Sequence, residues 1–420
     1  MNARDYIPQD RMYVFWLQDP ATPRLVGSLD LNPRLKGATF QYSGRWLEHG
    51  FSLSPDLPLR PGEFLPEPEH LPGAIDDARP DRWGERVIRH IDAPKRLSIL
   101  EYLFFAGDDR FGALGVSLQE DRYVPCDRAP VPHLGEVAAI YELVQAIEAG
   151  QQIDENRARL IRPGATLGGA KPKALVNIDG QVCIVKFPER DEALDVGLVE
   201  HATMTLAHRA GLFPAKTWPI DLGASRGHAV AVQRFDRVQD GTPQQTKRLH
   251  AMSLRSAIRA MGGEFSYAEF ALYLRRYAPA HEAQHMAATL YRRMVFNILM
   301  DNTDDHEKNH ALVFDDGHQP HLAPAFDLLP SCQNLGYQQI GVGEHGSEST
   351  LENALSAYKA FRLTQAQARQ HICEVAGVVA GWRSHFESVG VAAKDVELLS
   401  ASIDRPFLRE QRAEAVKTAV

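Results

Sequence analysis

Residues 301–310 of the chain read DNTDDHEKNH. This stretch carries two motifs that imply different chemistry. His306 and His310 have the H-E-x-x-H spacing, in which two histidines on one helix face hold Zn²⁺ and the glutamate acts as a base. Asp304 and Asn309 have the D-x-x-x-x-N spacing of a loop that directs phosphoryl transfer to a hydroxyl. The sequence on either side discriminates between the two.

The zinc motif needs a helix that continues through both histidines. The apolar helix expected before this stretch ends near Met300, DNTDD has the composition of a turn, and the residues after His310 favour a strand. We therefore expect little helix around the two histidines. A zinc hydrolase, with Glu344 or Glu348 as a candidate third ligand, is therefore the hypothesis that we favour least.

The composition is that of an ordinary globular protein of more than one domain. The chain has 420 residues, of which 44% are hydrophobic and 24% charged, and its net charge is −8. Nothing in this composition indicates that the chain binds nucleic acid through bulk positive charge, and a local basic patch stays open as an alternative. The N-terminus has no apolar leader, no long apolar run suggests a membrane span, and the four cysteines form no C-x-x-C pair. We expect a cytoplasmic protein without membrane contact.

Local patterns divide the chain into three predicted domains. Residues 1–125 alternate strand-like runs with helical ones and form an N-terminal α+β subdomain. Residues 126–245 are rich in strands, and Asp179-Gly180 between two β-rich runs predicts a hairpin. Residues 246–420 are mostly helical and contain the opening stretch.

Along the chain as a whole, the parts of a protein kinase occur in the order that such enzymes use. The candidates are a glycine-bearing loop with Gly168, Gly169 and Lys173, the strand lysine Lys186, the helix glutamate Glu200, the hinge residues Gln233 and Phe235, the loop pair Asp304 and Asn309, and the late aspartate Asp327. A single match would be weak evidence. The whole series in order, each member on a suitable element, favours ATP-dependent phosphoryl transfer.

Each candidate has a predicted role in that chemistry. Asp304 would orient the substrate hydroxyl, while Asn309 and Asp327 would hold Mg²⁺ through oxygen atoms. Lys186 would contact the α- and β-phosphates of ATP, with Glu200 as its expected partner unless that glutamate only faces solvent.

The other candidates serve the nucleotide or the loop. The glycine loop with Lys173 would approach the phosphates. Gln233 and Phe235 would face adenine or form an ordinary strand end. His306 and Lys308 would contact either the γ-phosphate or the loop backbone.

These motifs resemble those of HipA-type kinases, the toxins of bacterial type II toxin–antitoxin modules. The resemblance is carried by NTDDHEKN (302–309), PAFDLLPS (324–331), GGAKPKALV (168–176), VQRFDR (232–237), and the N-terminal stretches GFSLSPDLPL (50–59), RPDRWGERVI (79–88) and AGDDRFGALG (106–115). It implies an α+β, protein-kinase-like two-lobed fold with an added N-terminal subdomain and a helical C-terminal lobe.

The resemblance also implies function. It predicts an ATP- and Mg²⁺-dependent serine/threonine kinase that phosphorylates a protein such as an aminoacyl-tRNA synthetase. The implied partner is a helix-turn-helix antitoxin similar to HipB, through which the chain would meet DNA indirectly. Thr166 occupies the position of a hydroxyl residue that such kinases autophosphorylate. The main alternative is a catalytically weak kinase fold that serves as a binding or corepressor module.

Overall fold

The computed structural model describes residues 6–164, 169–190, 192–223, 225–239 and 246–417. The chain forms two compact units. Unit 1 comprises Met1–Phe187, Gln233–Met261 and Val313–His318, and unit 2 comprises Pro188–Val232, Gly262–Leu312 and Gln319–Val420. The division into domains 1–125, 126–245 and 246–420 stays a prediction.

The described residues form a mixture of strands and helices. In chain order the strands are β1 (Arg11–Trp16), β2 (Arg24–Asn32), β3 (Gly37–Tyr42), β4 (Glu63–Phe64), β5 (Leu114–Ser117), β6 (Lys173–Ile178), β7 (Gln181–Lys186), β8 (Thr217–Asp221), β9 (His228–Gln233), β10 (Arg237–Gln239), β11 (Thr246–Arg248), β12 (Ala251–Ser253), β13 (Ala311–Phe314) and β14 (Pro320–Leu322). The α-helices are α1 (Gly44–His49), α2 (Arg82–Val87), α3 (Ile99–Phe105), α4 (Val137–Glu148), α5 (Glu155–Ala158), α6 (Val196–Arg209), α7 (Leu254–Met261), α8 (Tyr267–Tyr277), α9 (Ala283–Leu299), α10 (Leu351–Ser356), α11 (Gln365–Val379), α12 (Trp382–Val389), α13 (Ala393–Ile403) and α14 (Pro406–Lys417).

The N-terminal part of unit 1 is built on one antiparallel sheet. Its strand order is β4-β3-β2-β1-β5, so neighbours along the chain pair directly except for the late addition of β5. Inward-facing residues of the sheet share a core with the apolar residues of α3. A serine cap begins α3: Ser98 and Glu101 satisfy each other's backbone N–H groups in a capping box. The predicted N-terminal α+β character is confirmed.

The second part of unit 1 contains the predicted hairpin. Strands β6 and β7 pair in register from Lys173 opposite Lys186 to Ile178 opposite Gln181. Asp179 and Gly180 form the turn with φ of 51° and 84°. Two positive φ values define the type I′ turn that asparagine or aspartate followed by glycine favours. The hairpin prediction is confirmed.

Unit 2 is predominantly helical, with α9 buried around most of its circumference. The Asp195 side chain caps the start of α6 by accepting a hydrogen bond from the Leu198 N–H at 3.3 Å, and Gly211 follows the helix end with φ of 74°. Strands β8 and β9 form a second antiparallel hairpin. The expected helical C-terminal region is present from Leu351 onward. Among the described residues, no helix has the length and apolar content to cross a bilayer.

Candidate active-site residues

The opening stretch 301–310 is a loop. Helix α9 ends at Leu299, and the Asn302 N–H donates to the Asn297 carbonyl at 2.9 Å as the chain leaves the helix. The following residues through 310 contain no helix. His310 Nε2 lies 2.9 Å from Asp305 Oδ1 in a hydrogen bond that the carboxylate oxygen accepts, so this ring nitrogen has a partner within the loop. The helix that the zinc motif requires is therefore missing here.

Two adjacent aspartates in this loop face opposite ways. Asp304 is exposed, whereas Asp305 is only 1% exposed. Asp305 accepts a hydrogen bond from the Tyr267 hydroxyl and contacts the buried His310 ring at its other oxygen. Because Asp305 is held inward by both carboxylate oxygens, the backbone presents its neighbour Asp304 to solvent.

A chain of buried amides supports this anchor. Asn297 Nδ2 donates to the Tyr267 hydroxyl oxygen at 3.0 Å, and Asn302 Nδ2 donates to Asn297 Oδ1 at 3.1 Å. These side chains are all buried. Hydrogen bonds in such a low-dielectric network are strong, and a buried group that lost its hydrogen-bond partner would lower the stability of the fold. The network ties the loop to α8 and α9.

The electrostatics of the anchor keep Asp305 charged and Tyr267 protonated. Burial by itself would raise the pKa of Asp305, but His310 and the Tyr267 hydroxyl outweigh it and hold that pKa below its usual value. Burial and the adjacent Asp305 charge raise the pKa of Tyr267 well above its usual value. Asp305 is thus a permanent acceptor and Tyr267 a permanent donor at neutral pH.

The turn from Asp304 to Asn309 is closed by its own hydrogen bonds. The Asn309 N–H donates to the His306 carbonyl at 2.9 Å, and Asn309 Nδ2 donates to the Asp304 carbonyl at 3.3 Å. The Lys308 N–H donates to His306 Nδ1 at 3.2 Å. His306 thus contacts the loop backbone, and its contact with the γ-phosphate stays a prediction.

A second loop that carries Asp327 is attached to the first. Ser331 donates to the Asp301 carbonyl through its N–H at 3.1 Å and through Oγ at 3.0 Å, and its hydroxyl meets that of Thr303 at 2.5 Å. Asp327 has φ of 58°, a conformation that costs a non-glycine residue energy and tends to occur at functional sites. Unit 2 therefore holds the Asp327 segment against the start of the Asp304 loop.

Two of the candidates in unit 1, Lys173 and Lys186, lie on the β6–β7 hairpin. Lys186 is half-buried at the end of β7, directly opposite Lys173. Like charges in such a cross-strand pair repel. Lys173 is compensated by a buried ion pair with Asp81, whose oxygen lies 2.7 Å from its Nζ, and a Cβ at Gly169 would lie 2.9 Å from the same nitrogen. Lys173 thus joins the base of the glycine loop to the start of α2.

The hinge candidates and the helix glutamate are all at least partly buried. Gln233 and Phe235 are half-buried in unit 1, where the Phe235 ring meets Phe111 edge-on at 5.9 Å. Glu200 is buried on α6 in unit 2. Gly168 and Thr166 lie outside the described residues.

Sequence reasoning did not single out the buried anchor of the loop. Asp305 and His310 lie inside the motif, but Tyr267 lies 38 residues before Asp305. The one local signal is the presence of two adjacent aspartates, Asp304 and Asp305, in the motif. Nothing in the sequence indicates which of the two is buried.

Two family models match the chain. The HipA N-terminal domain matches residues 20–117, and the HipA-like C-terminal domain matches residues 165–382, which is more than half of the chain. The chain belongs to the HipA family. The resemblance drawn from the motifs is thereby confirmed.

Two relatives agree with this assignment. A Haemophilus influenzae protein named "Putative kinase" is 25% identical over 184 residues, or 40% of this chain and 52% of that protein. "Putative kinase Y4mE" of Sinorhizobium fredii is 26% identical over 321 residues, or 69% of this chain and 71% of that protein. The chain thus spans about half the length of the first relative.

The solved structure bears on the fold. HipA of Shewanella oneidensis MR-1, in a complex with HipB and operator DNA, has a TM-score of 0.64 and 18% identity, over 96% of this chain and 99% of that chain. This HipA likeness confirms the predicted HipA-like α+β fold.

Proposed function

We propose that the chain is an ATP- and Mg²⁺-dependent protein serine/threonine kinase of HipA type. The observation that carries the proposal is the contrast between two adjacent aspartates. Asp304 is exposed on the loop, whereas Asp305 is buried and accepts two hydrogen bonds. A residue that orients a hydroxyl for phosphoryl transfer must be accessible and rigidly held. A solvated polar turn would not need a buried network of this size.

The donor atoms of unit 2 suit Mg²⁺ in chemical type. This hard cation prefers carboxylate and amide oxygens and keeps several waters. Asp327 provides a carboxylate in a strained backbone conformation, and Asn309 provides an amide on the closed turn. These two residues would hold the metal, and Lys186 in unit 1 would bind phosphate oxygens. ATP would supply the phosphoryl group, and Mg²⁺ would offset the negative charge of that group during transfer.

Asp304 would perform the central step of the protein side. Its carboxylate would accept a hydrogen bond from the substrate serine or threonine hydroxyl and take up the proton of that hydroxyl. The O–P bond to the γ-phosphorus would form as the bond from that phosphorus to the β–γ bridging oxygen breaks, with ADP as the leaving group. The transition state of such transfers is loose, so the contribution of Asp304 is mainly orientation. The hydrogen bonds from Tyr267 and His310 to Asp305 would hold the loop, and with it Asp304, in one orientation.

The biological setting we propose is a toxin–antitoxin module in the cytoplasm. The solved HipA of Shewanella oneidensis forms a complex with HipB and operator DNA. By analogy this chain would bind a helix-turn-helix antitoxin, meet DNA through it, and act on a translation component such as an aminoacyl-tRNA synthetase. The same complex also motivates the second candidate, a catalytically weak kinase fold that serves as a corepressor.

The decisive experiment is γ-phosphate transfer from Mg-ATP with three proteins: the natural chain, Asp304→Asn and Glu344→Gln. Glu344 is a matched control because it is another exposed acidic residue of unit 2 and a candidate third ligand of the zinc alternative. We expect transfer by the natural chain and by Glu344→Gln, and a loss of at least about 100-fold in Asp304→Asn. Transfer by none of the three proteins would favour the corepressor. Bound zinc is measured in the same proteins, and a loss of zinc in Glu344→Gln alone would favour the hydrolase.

Autophosphorylation at Thr166 is a separate part of the proposal. Phosphopeptide mapping after incubation with Mg-ATP should find phosphate on Thr166 in the natural chain and none in Asp304→Asn. An active enzyme that carries no phosphate on Thr166 would remove this residue from the scheme.

A further inference from the structure

The candidate hinge segment Gln233–Arg237 is attached to a loop of the N-terminal region of unit 1. Arg234 donates from Nη1 to the Asp109 carbonyl at 2.7 Å and from Nη2 to the Arg110 carbonyl at 3.1 Å. Arg237 Nη2 donates to the same Arg110 carbonyl at 2.8 Å. Both arginines therefore bind the backbone of one short loop, residues 108–112, more than a hundred positions earlier in the chain.

The connection also runs in the opposite direction. The Gly112 N–H donates to Asp236 Oδ2 at 2.8 Å, whereas the Gly112 carbonyl accepts from Arg237 at 3.0 Å as the Arg110 carbonyl does. Gly112 has φ of 79°, and a Cβ added there would lie 3.3 Å from the Ala251 nitrogen, so this loop position favours glycine. The two segments are thus joined by a reciprocal set of hydrogen bonds.

The charges in this connection are buried and paired. Asp236 accepts from Arg234 through both oxygens, at 2.9 Å and 2.7 Å, and lies 2.9 Å from Arg237. Arg234 is 4% exposed and Asp236 2%. Buried ion pairs cost desolvation and are weak evidence of stability, but removing one partner leaves an uncompensated buried charge. Asp236 also has its pKa lowered because the neighbouring arginines outweigh the effect of burial.

Burial alternates along the hinge segment. Arg234 and Asp236 are buried, whereas Gln233 and Phe235 between them are half-buried. The anchoring residues and the candidate adenine-binding residues thus occupy alternate positions. The loop that receives the anchors also supplies Phe111, which is 6% exposed and meets the Phe235 ring edge-on at 5.9 Å with an interplanar angle of 82°.

We propose that Phe111 is a positioning residue for the nucleotide, and that loop 108–112 sets the orientation of Phe235 and Gln233 toward the base of ATP. This inference rests on the proposed function and extends it by assigning nucleotide selectivity to the N-terminal region. Phe111 acts through Phe235, because an edge-to-face pair restricts the tilt of the partner ring.

The test uses Phe111→Leu in the full chain, with Phe64→Leu as the matched control. Phe64 is 7% exposed, makes comparable aromatic contacts with Phe40 and Tyr42, and lies in the same unit. For Phe111→Leu we expect KM for ATP to rise about 3- to 10-fold with kcat nearly unchanged, as the loss of one aromatic pair would give. The ratio of kcat/KM for ATP to that for GTP should fall in parallel. Phe64→Leu should change neither value.

A double-substitution cycle separates positioning from loss of stability. Phe235→Leu alone should raise KM for ATP, and adding Phe111→Leu to it should raise KM no further, since the partner ring is already gone. Additive effects, equal effects of Phe111→Leu and Phe64→Leu, or an unchanged ATP-to-GTP ratio would overturn the inference while leaving the kinase proposal intact. A natural chain that neither binds nor uses ATP would instead overturn the proposed function, and this inference with it.

Discussion

The hydroxyl of Tyr267 offers a sharp test of how the Asp304 loop is held. In Tyr267→Phe, Asp305 loses one donor and Asn297 Nδ2 loses its acceptor, with almost no change in side-chain volume. A hydrogen bond to a charged group contributes about 1.5–3 kcal/mol, and a buried amide left without an acceptor costs about 1–3 kcal/mol. Allowing for partial rearrangement, we expect the free energy of unfolding to fall by about 2–4 kcal/mol.

A matched control lies in the same unit. Tyr291 on α9 is as fully buried as Tyr267, but its hydroxyl has no hydrogen-bond partner among the described residues. The substitution Tyr291→Phe therefore removes a buried polar atom that gains nothing, and it should leave stability within about 1 kcal/mol of the natural chain or raise it.

The assay is urea unfolding of each variant, combined with amide hydrogen exchange of peptides that cover residues 301–310. Exchange is needed because a chain with two compact units need not unfold in one step. Faster exchange of this stretch in Tyr267→Phe, together with a lower kcat for phosphoryl transfer, would support the anchoring role. Equal losses of stability in Tyr267→Phe and Tyr291→Phe would refute it, because the hydrogen bonds would then contribute nothing specific.

Three further predictions concern charge and pH. Asp304→Asn should leave the free energy of unfolding within about 0.5 kcal/mol of the natural value because Asp304 is exposed, so its loss of activity should not reflect unfolding. Lys173→Met should destabilise the chain by about 3–5 kcal/mol in urea unfolding, since it leaves Asp81 buried without its ion-pair partner, and stability within 1 kcal/mol of the natural chain would contradict the pairing. Burial lowers the pKa of His250 from 6.5 to about 4. The unfolded chain therefore binds a proton first as pH falls, and stability should be lost between about pH 6.5 and 4, by roughly 3 kcal/mol in all. His250→Gln should lack that part of the acid limb in thermal melts measured across the pH range, while an unchanged limb would exclude His250 as its source.

Much of the fold was predictable because its signals are local. The turn Asp179-Gly180 specifies a hairpin through backbone conformation alone, and the structure has both φ values positive. The helical C-terminal region follows from apolar periodicity in the same way. The ordered series of kinase-like motifs, from the glycine loop to Asp327, was also visible, since each motif needs only a few adjacent residues.

Burial decided what the sequence left ambiguous in the loop 301–310. Asp304 and Asp305 are chemically identical neighbours, and only the packing of Tyr267 and His310 makes one an inward anchor and the other an exposed group. His310 similarly changes from a candidate metal ligand to a partner of Asp305. These outcomes depend on which distant elements pack against the loop, and no local pattern records that.

The identity and order of the chemical groups along this HipA-family chain can be read from its amino-acid sequence alone. The tertiary structure decided which of those groups are anchored. The pairing of Lys173 with Asp81 and the binding of Arg234 to the carbonyls of residues 109 and 110 join positions about a hundred residues apart. The physical reason is that a buried charge or hydrogen-bonding group must find its partner wherever folding brings one within reach, irrespective of distance along the chain.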